Sequence, residues 1–199
     1  MAGTVKLQGK YLEIALKMLK DITTILEKNE VPYLLEAGTL LGIVRENRLL
    51  PWDTDMDLNV SSVNMKKLFS VRWKIWMAGY RSKIRICKKD SGPFKKGTPR
   101  ILRIQTRKFL FFKGISMMDL FIKFPMDDSY YWTVDDKRPV LKSTPKHFYD
   151  NTTQLEFNGK MYPAPKEFKD YLTYYYGDWE VVHKDFNFRT GDTCDTVEL

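Results

Sequence analysis

Pro51-Trp52-Asp53-Thr54-Asp55-Met56-Asp57-Leu58 sets three carboxylates at every second position and brackets them with apolar residues. In an extended segment, residues two apart point to the same face. Neighbouring acids then lie about 6.6 Å apart along the strand, from a rise of about 3.3 Å per residue. Three like charges this close repel strongly, and a hard divalent cation between them is the simple way to keep them ionised. The alternation through Val60 predicts a strand from Asp55, and the flanking Trp52, Met56, Leu58 and Val60 tie it to a core. A calcium loop of the EF-hand type also begins with alternating acids. It needs Gly at its sixth position and Glu at its twelfth, where this chain has Leu58 and Asn64.

Upstream, Tyr33–Ala37 is short, apolar and β-compatible, and Gly38 breaks it. Thr39 is placed to cap a helix running to about Glu46. Backbone N–H groups at such a helix start attract phosphate. Gly38 permits close backbone approach, and Arg45 on the same helix is a candidate phosphate contact. Downstream, Asp119 stands alone in Ser116-Met117-Met118-Asp119-Leu120-Phe121-Ile122, an apolar strand candidate. Burying a lone acid is costly unless it is paired or liganded, so Asp119 is a candidate ligand from a neighbouring strand. One carboxylate, Asp53 or Asp57, is the candidate base for an acceptor hydroxyl.

The remaining elements follow from periodicity. Residues 6–29 repeat apolar positions at helical spacing, ended by Asn29 and Pro32. Residues 64–78 read as helical. Residues 80–113 alternate basic and apolar positions like two strands with one wet face, joined by the turn-rich Ser91-Gly92-Pro93-Phe94-Lys95-Lys96-Gly97-Thr98-Pro99. Residues 115–124 read as a strand, and 125–144 as polar and irregular. Asn158-Gly159 marks a hairpin, followed by a helix over 166–176 that Gly177 stops. The order predicts an α+β fold around a mixed sheet flanked by helices. It also predicts one domain over 1–185, with a poorly ordered tail over 186–199.

Composition narrows the function. The 199 residues are 43% hydrophobic, with a mean hydropathy of −0.41. No apolar run approaches the roughly 20 residues of a membrane span. The lysine-bearing start is not a secretory signal. Cys87 and Cys194 form no metal spacing. These features suggest a reducing, cytoplasmic setting, or a secretory lumen if another segment directs the chain there. The net charge of +8 is concentrated: residues 66–113 hold 16 Lys or Arg and one acid, Asp90. Such a concentration suits an anionic partner: a nucleotide diphosphate, an anionic glycan, a nucleic acid or a membrane surface. No Walker motif or GxGxxG occurs, which argues against ATPase and dinucleotide chemistry. The aromatic cluster around Tyr171–Trp179 reads as core. His147 and His183 have no nucleophile at a recognisable spacing.

Taken together, Glu36-Ala37-Gly38-Thr39-Leu40-Leu41-Gly42-Ile43-Val44-Arg45, Leu50-Pro51-Trp52-Asp53-Thr54-Asp55-Met56-Asp57-Leu58 and Met118-Asp119-Leu120-Phe121 resemble the LicD family. That family includes bacterial phosphocholine transferases and the animal fukutin-related proteins. The run from Asn158-Gly159-Lys160 to Tyr176-Gly177-Asp178-Trp179 is similar to its closing motif. The resemblance implies a nucleotidyltransferase-like core, Mg²⁺ or Mn²⁺, a CDP-alcohol donor such as CDP-choline and a carbohydrate acceptor, with release of CMP. It implies Asp55, Asp57 and Asp119 as metal ligands, with Asp53 beside them. Gly38, Thr39 and Arg45 would face the donor phosphates. Thr54 stands where the family often has a further acid, and His183 where Pro often follows. Rival readings are a nucleotidyltransferase moving NMP itself, a sugar-nucleotide glycosyltransferase and a basic nucleic-acid-binding or inactive scaffold domain. The last lacks RNP-type aromatics and zinc spacing.

Overall fold

The computed structural model describes residues 3, 5–109, 112–134, 139–182 and 196–197. Helix α1 (Lys10–Lys28) turns Ala15, Met18, Leu19, Ile22 and Leu26 inward. Strand β1 (Leu34–Glu36) runs directly into α2 (Ala37–Glu46), and β2 (Met56–Ser61) returns antiparallel to β1. The expected 64–78 helix is two short ones, α3 (Met65–Ser70) and α4 (Arg72–Met77). The basic segment is the ladder of β3 (Tyr80–Ile86) and β4 (Pro99–Lys108), as its alternation predicts.

Strand β5 (Phe112–Met126) organises the sheet. It pairs parallel with β2 on one side and antiparallel with β4 on the other; its last residues pair with β6 (Ser129–Val134). Strand β7 (Val140–Pro145) continues from β6. The irregular segment expected over 125–144 is therefore corrected. Ser129-Tyr130-Tyr131-Trp132-Thr133-Val134 is rich in strand-favouring residues, and Asp127 takes the left-handed turn that folds it back on β5. Helix α5 (His147–Asp150), the hairpin of β8 (Thr152–Phe157) and β9 (Lys160–Pro165), and α6 (Phe168–Tyr176) complete the order. Asn158 and Gly159 have φ of 49° and 70° at the hairpin turn, as that dipeptide predicts. Of the tail expected over 186–199, only β10 (Thr196–Val197) is described, paired with β7; the remainder, with His183 and Cys194, lies outside the described residues. Cys87 is buried. Among the described residues no helix is long and apolar enough to cross a membrane.

Strand alternation divides the sheet into two faces. Met56, Leu58 and Val60 of β2, Met118, Leu120 and Ile122 of β5, and Leu102 and Ile104 of β4 are buried in one core that also holds the α1 stripe. The intervening residues form the other face: Asp57, Asn59 and Ser61; Asp119, Phe121 and Lys123; Arg103. That face is polar yet partly enclosed, and the candidate site lies on it.

Candidate active site

The parallel register sets Asp57 directly beside Asp119, and the antiparallel registers add Glu36 on one side and Arg103 on the other. One row across four strands therefore reads Glu36, Asp57, Asp119, Arg103. Asp53 and Asp55 lie in the loop before β2, which starts at Met56, one residue later than the predicted start at Asp55. Asp55 nevertheless remains in the cluster, since Asp119 and Asp53 both act on its charge.

Crowding and burial act together on these acids. Burial first, then Asp119 and Asp53, push the Asp55 carboxyl up to about 7, against the opposing pull of Arg103. Asp57 is driven well above the ordinary carboxylate range by burial, then by Asp55, Asp119, Asp53 and Glu36. Burial lifts Asp53 to about 6, with Arg45 opposing. Acids in such a state favour a proton or a cation among them.

Asp119 is held by Arg103 in a two-pronged pair: Nε donates to Oδ1 at 2.8 Å and Nη2 to Oδ2 at 2.6 Å. That geometry is the strong form of the carboxylate–guanidinium contact. Among the described residues no three acids, histidines or cysteines converge closely enough to form a ready metal cage. The donor set still suits a hard dication: all-oxygen, crowded and desolvated. Arg103 went unrecognised in the sequence because an Arg in an alternating basic strand reads as a wet-face residue.

Thr39 lies inside α2 rather than capping it; Glu36 occupies the capping position without a side-chain cap. The Thr39 hydroxyl instead accepts the Asp57 backbone N–H at 2.8 Å, fixing the start of α2 to β2. The turn is strained: Ala37 has φ 45°, a left-handed value uncommon for residues other than glycine. Gly38 then leaves room for Asp53, whose Oδ2 would collide with a Cβ at that position. Arg45 donates to Glu46 and to the Trp179 carbonyl at 3.0 Å, so its guanidinium is committed to α2 and the C-terminal turn. With Trp52, Asp53, Tyr176 and Trp179, Gly38 and Arg45 line a cleft of about 230 Å³ beside the carboxylates.

Gly38→Ala is expected to leave the fold intact, because the clash falls on the end of a movable side chain and Ala favours helix. Asp53 must then turn aside, and a displacement of about 1 Å at a reacting group costs on the order of 100-fold in rate. The check is a melting curve beside an activity assay; an unchanged rate would show that Asp53 does not depend on this gap.

Behind the row lies a second cluster. Glu36 accepts Lys123 Nζ at 2.8 Å, Tyr171 Oη at 2.6 Å and Asn59 Nδ2 at 2.5 Å, all buried. Lys123 also donates to Tyr149 Oη at 2.9 Å and lies 3.2 Å from the centre of the Trp132 ring. Tyr171 is thus core, as expected, but its hydroxyl anchors α6 to the acid that precedes the Gly38 turn.

A sequence profile described as LicD/FKTN/FKRP, nucleotidyltransferase domain, matches residues 30–167, more than half of the chain. An uncharacterized protein of Rickettsia prowazekii (strain Madrid E) is 28% identical over 88 residues, covering 42% of this chain and 33% of that protein. An uncharacterized protein of Rickettsia typhi (strain ATCC VR-144 / Wilmington) is 33% identical over 67 residues, covering 34% and 22%. The matched segments thus span a third or less of these curated relatives. A solved structure of ANT(2")-Ia in complex with adenylyl-2"-tobramycin aligns with a TM-score of 0.46 at 12% identity, covering 87% of this chain and 81% of that one.

Proposed function

The chain belongs to the LicD/FKTN/FKRP family, whose nucleotidyltransferase domain it carries, and from this premise we propose that it is a metal-dependent phosphotransferase. It moves a phospho-alcohol from a CDP-linked donor to a carbohydrate hydroxyl and releases CMP. A transferase of the phosphotransferase or nucleotidyltransferase type is what the family membership itself supports. The observation that carries the finer reading is the register that sets Asp57 beside Asp119, with Asp55 and Asp53 against them.

In this reading Asp55, Asp57 and Asp119 hold a divalent cation, Mg²⁺ or Mn²⁺. When bound, that ion supplies charge neutralisation at the donor pyrophosphate and the departing CMP. Arg103 would keep the Asp119 carboxylate oriented through its two-pronged contact, with lone pairs left on both oxygens for the ion. Gly38 brings the start of α2 close to donor phosphate. Asp53, with its carboxyl raised to about 6, is mostly ionised at neutrality yet more basic than an ordinary carboxylate, which suits it to take the acceptor hydroxyl's proton. The cleft lined by Tyr176, Trp179, Asp53 and Asp178 would take the alcohol of the donor, with Arg45 set over the Trp52 ring at 6.0 Å on one wall.

The test is thermal unfolding with pH and metal as variables. Across about pH 4 to 7 the folded chain holds more protons on these raised acids than the unfolded chain does. Their contribution to stability therefore falls as pH rises through that window. Metal-free protein is expected to lose melting temperature from this site between about pH 5 and pH 8. Millimolar Mg²⁺ or Mn²⁺ is expected to restore it at pH 8 and to do little at pH 5, where protons compete. CDP-choline should add a further shift only with metal present. No metal-dependent shift at pH 8, with or without the nucleotide, would end this reading. With CDP-choline, release of phosphocholine and attachment of CMP to the acceptor, rather than release of CMP, would favour transfer of NMP itself.

A further inference from the structure

Far from the carboxylates, at the opposite end of the β3–β4 ladder from the 87–98 loop, the surface combines exposed aromatic rings with cations. Phe109, just past the end of β4, is 90% exposed, and Phe112, the first residue of β5, is 70% exposed. Trp73, Trp76 and Met77 of α4 are exposed as well. The two groups are neighbours, because Tyr80, just after α4, pairs with Thr106, and the Arg107 guanidinium lies 4.6 Å from the centre of the Trp76 ring. Lys74 lies over Trp73 at 5.4 Å, Lys108 pairs across from Phe112, and Lys113 pairs across from Arg107.

This combination is unusual on three counts. Large apolar side chains that cluster on a surface mark an interaction site, whereas scattered ones do not. Phe109 also holds φ 50°, so a bulky residue sits both in water and in a left-handed backbone conformation. Finally, from Met65 to Met118 the only acid is Asp90, which lies on the far loop and is bound by Lys95 and the Lys96 N–H.

We propose that this end of the molecule is a peripheral docking surface for an anionic lipid bilayer. Phe109, Phe112 and the α4 tryptophans would enter the headgroup layer, and Arg107, Lys108 and Lys113 would meet lipid phosphates, while the Lys74 ammonium stays on Asn29. Rings exposed at the paired ends of two strands and on a short helix suit insertion between headgroups, where aromatic and basic side chains share the interface. A nucleic acid would favour rings laid on a sheet face or in a groove. Protein partners usually meet an apolar centre with a polar rim, whereas here cations are interleaved with every ring. The attraction of each Lys or Arg for an anionic surface adds to the insertion. Strands β4 and β5, whose paired ends at Lys108 and Phe112 carry the docking surface, also carry Arg103 and Asp119, so docking would hold the candidate site at a fixed height over the membrane.

The experiment is flotation of the full chain with phosphatidylcholine vesicles, alone or mixed with phosphatidylglycerol. Binding is expected only with the anionic lipid, with a blue shift of tryptophan emission. Phe109→Ser with Phe112→Ser should weaken partitioning by about tenfold or more with no change in melting temperature. Lys108→Glu should weaken it about fivefold. If the Phe pair fails to fold, Trp73→Ser with Met77→Ser serves the same purpose. Absence of binding to anionic vesicles at low salt would overturn the proposal. So would binding that ignores the apolar substitutions and vanishes with salt, since net charge alone explains that. Vesicle-independent dimerisation, or RNA binding, abolished by the same substitutions would assign the surface to those partners instead.

Discussion

Asp57→Asn is expected to make the metal-free protein more stable near pH 8 while removing its activity. Asp57 stands beside Asp119 and opposite Glu36, and Asp55 and Asp53 add to the repulsion. Amide for carboxylate keeps the shape and the backbone N–H that Thr39 accepts, but it deletes one charge from a crowded, desolvated group. A gain of about 1 kcal/mol would appear as a rise of about 2–4 °C in melting temperature for a chain of this size. Activity should fall by about 1,000-fold or more, since a ligand to the ion carries several kcal/mol of transition-state stabilisation. Opposite signs for stability and function are typical where a site is held together against its own repulsion. The measurements are melting temperature without metal and CMP release from CDP-choline with it. A variant that melts lower and turns over normally would place Asp57 outside the chemistry.

Breaking the Glu36–Lys123 pair should be the most damaging change to the fold. Both side chains are fully enclosed, and Glu36→Gln removes the carboxylate charge that the Lys123 ammonium meets at 2.8 Å. Removing one partner of a buried pair costs about 3–5 kcal/mol, a large share of the 5–15 kcal/mol typical of a domain. Glu36→Gln combined with Lys123→Met should recover much of the loss, because neither charge then remains inside. Urea unfolding of the three variants tests this. If the double variant is no better than Glu36→Gln, the pair is not the unit that matters. Glu36 also precedes the Gly38 turn and faces Asp57, so this loss should loosen the candidate site before the whole domain unfolds.

The sequence made the acids and the sheet readable because each was a local pattern. Asp55-Met56-Asp57-Leu58 announces a strand with an acidic face, and Asn158-Gly159 announces its hairpin. Arg103 was not readable, since its contact with Asp119 depends on a register between strands 16 residues apart. Lys123 and Lys142 were not readable either: a lysine in a strand reads as solvated, yet both are buried here. Thr39 was expected to cap its own helix, but its hydroxyl went to a distant backbone amide instead, a tertiary contact outweighing a local preference. Strands β6 and β7 were hidden by flanking acids and bases, which lowered their apparent regularity.

The parallel seam between β2 and β5 has a kinetic consequence. Met56 meets Met118 across it, so the intervening chain must double back through two helices and the β3–β4 ladder before the seam can close. Local meanders form early and distant pairings late, because closing a long loop costs entropy before any contact rewards it. Asp57 and Asp119 are strangers in the nascent chain and become neighbours only in the final annealing. A ribosome-bound fragment that ends before Asp119 would carry the acidic triplet without the carboxylate that faces it across the seam, so the row assembles in a single late event.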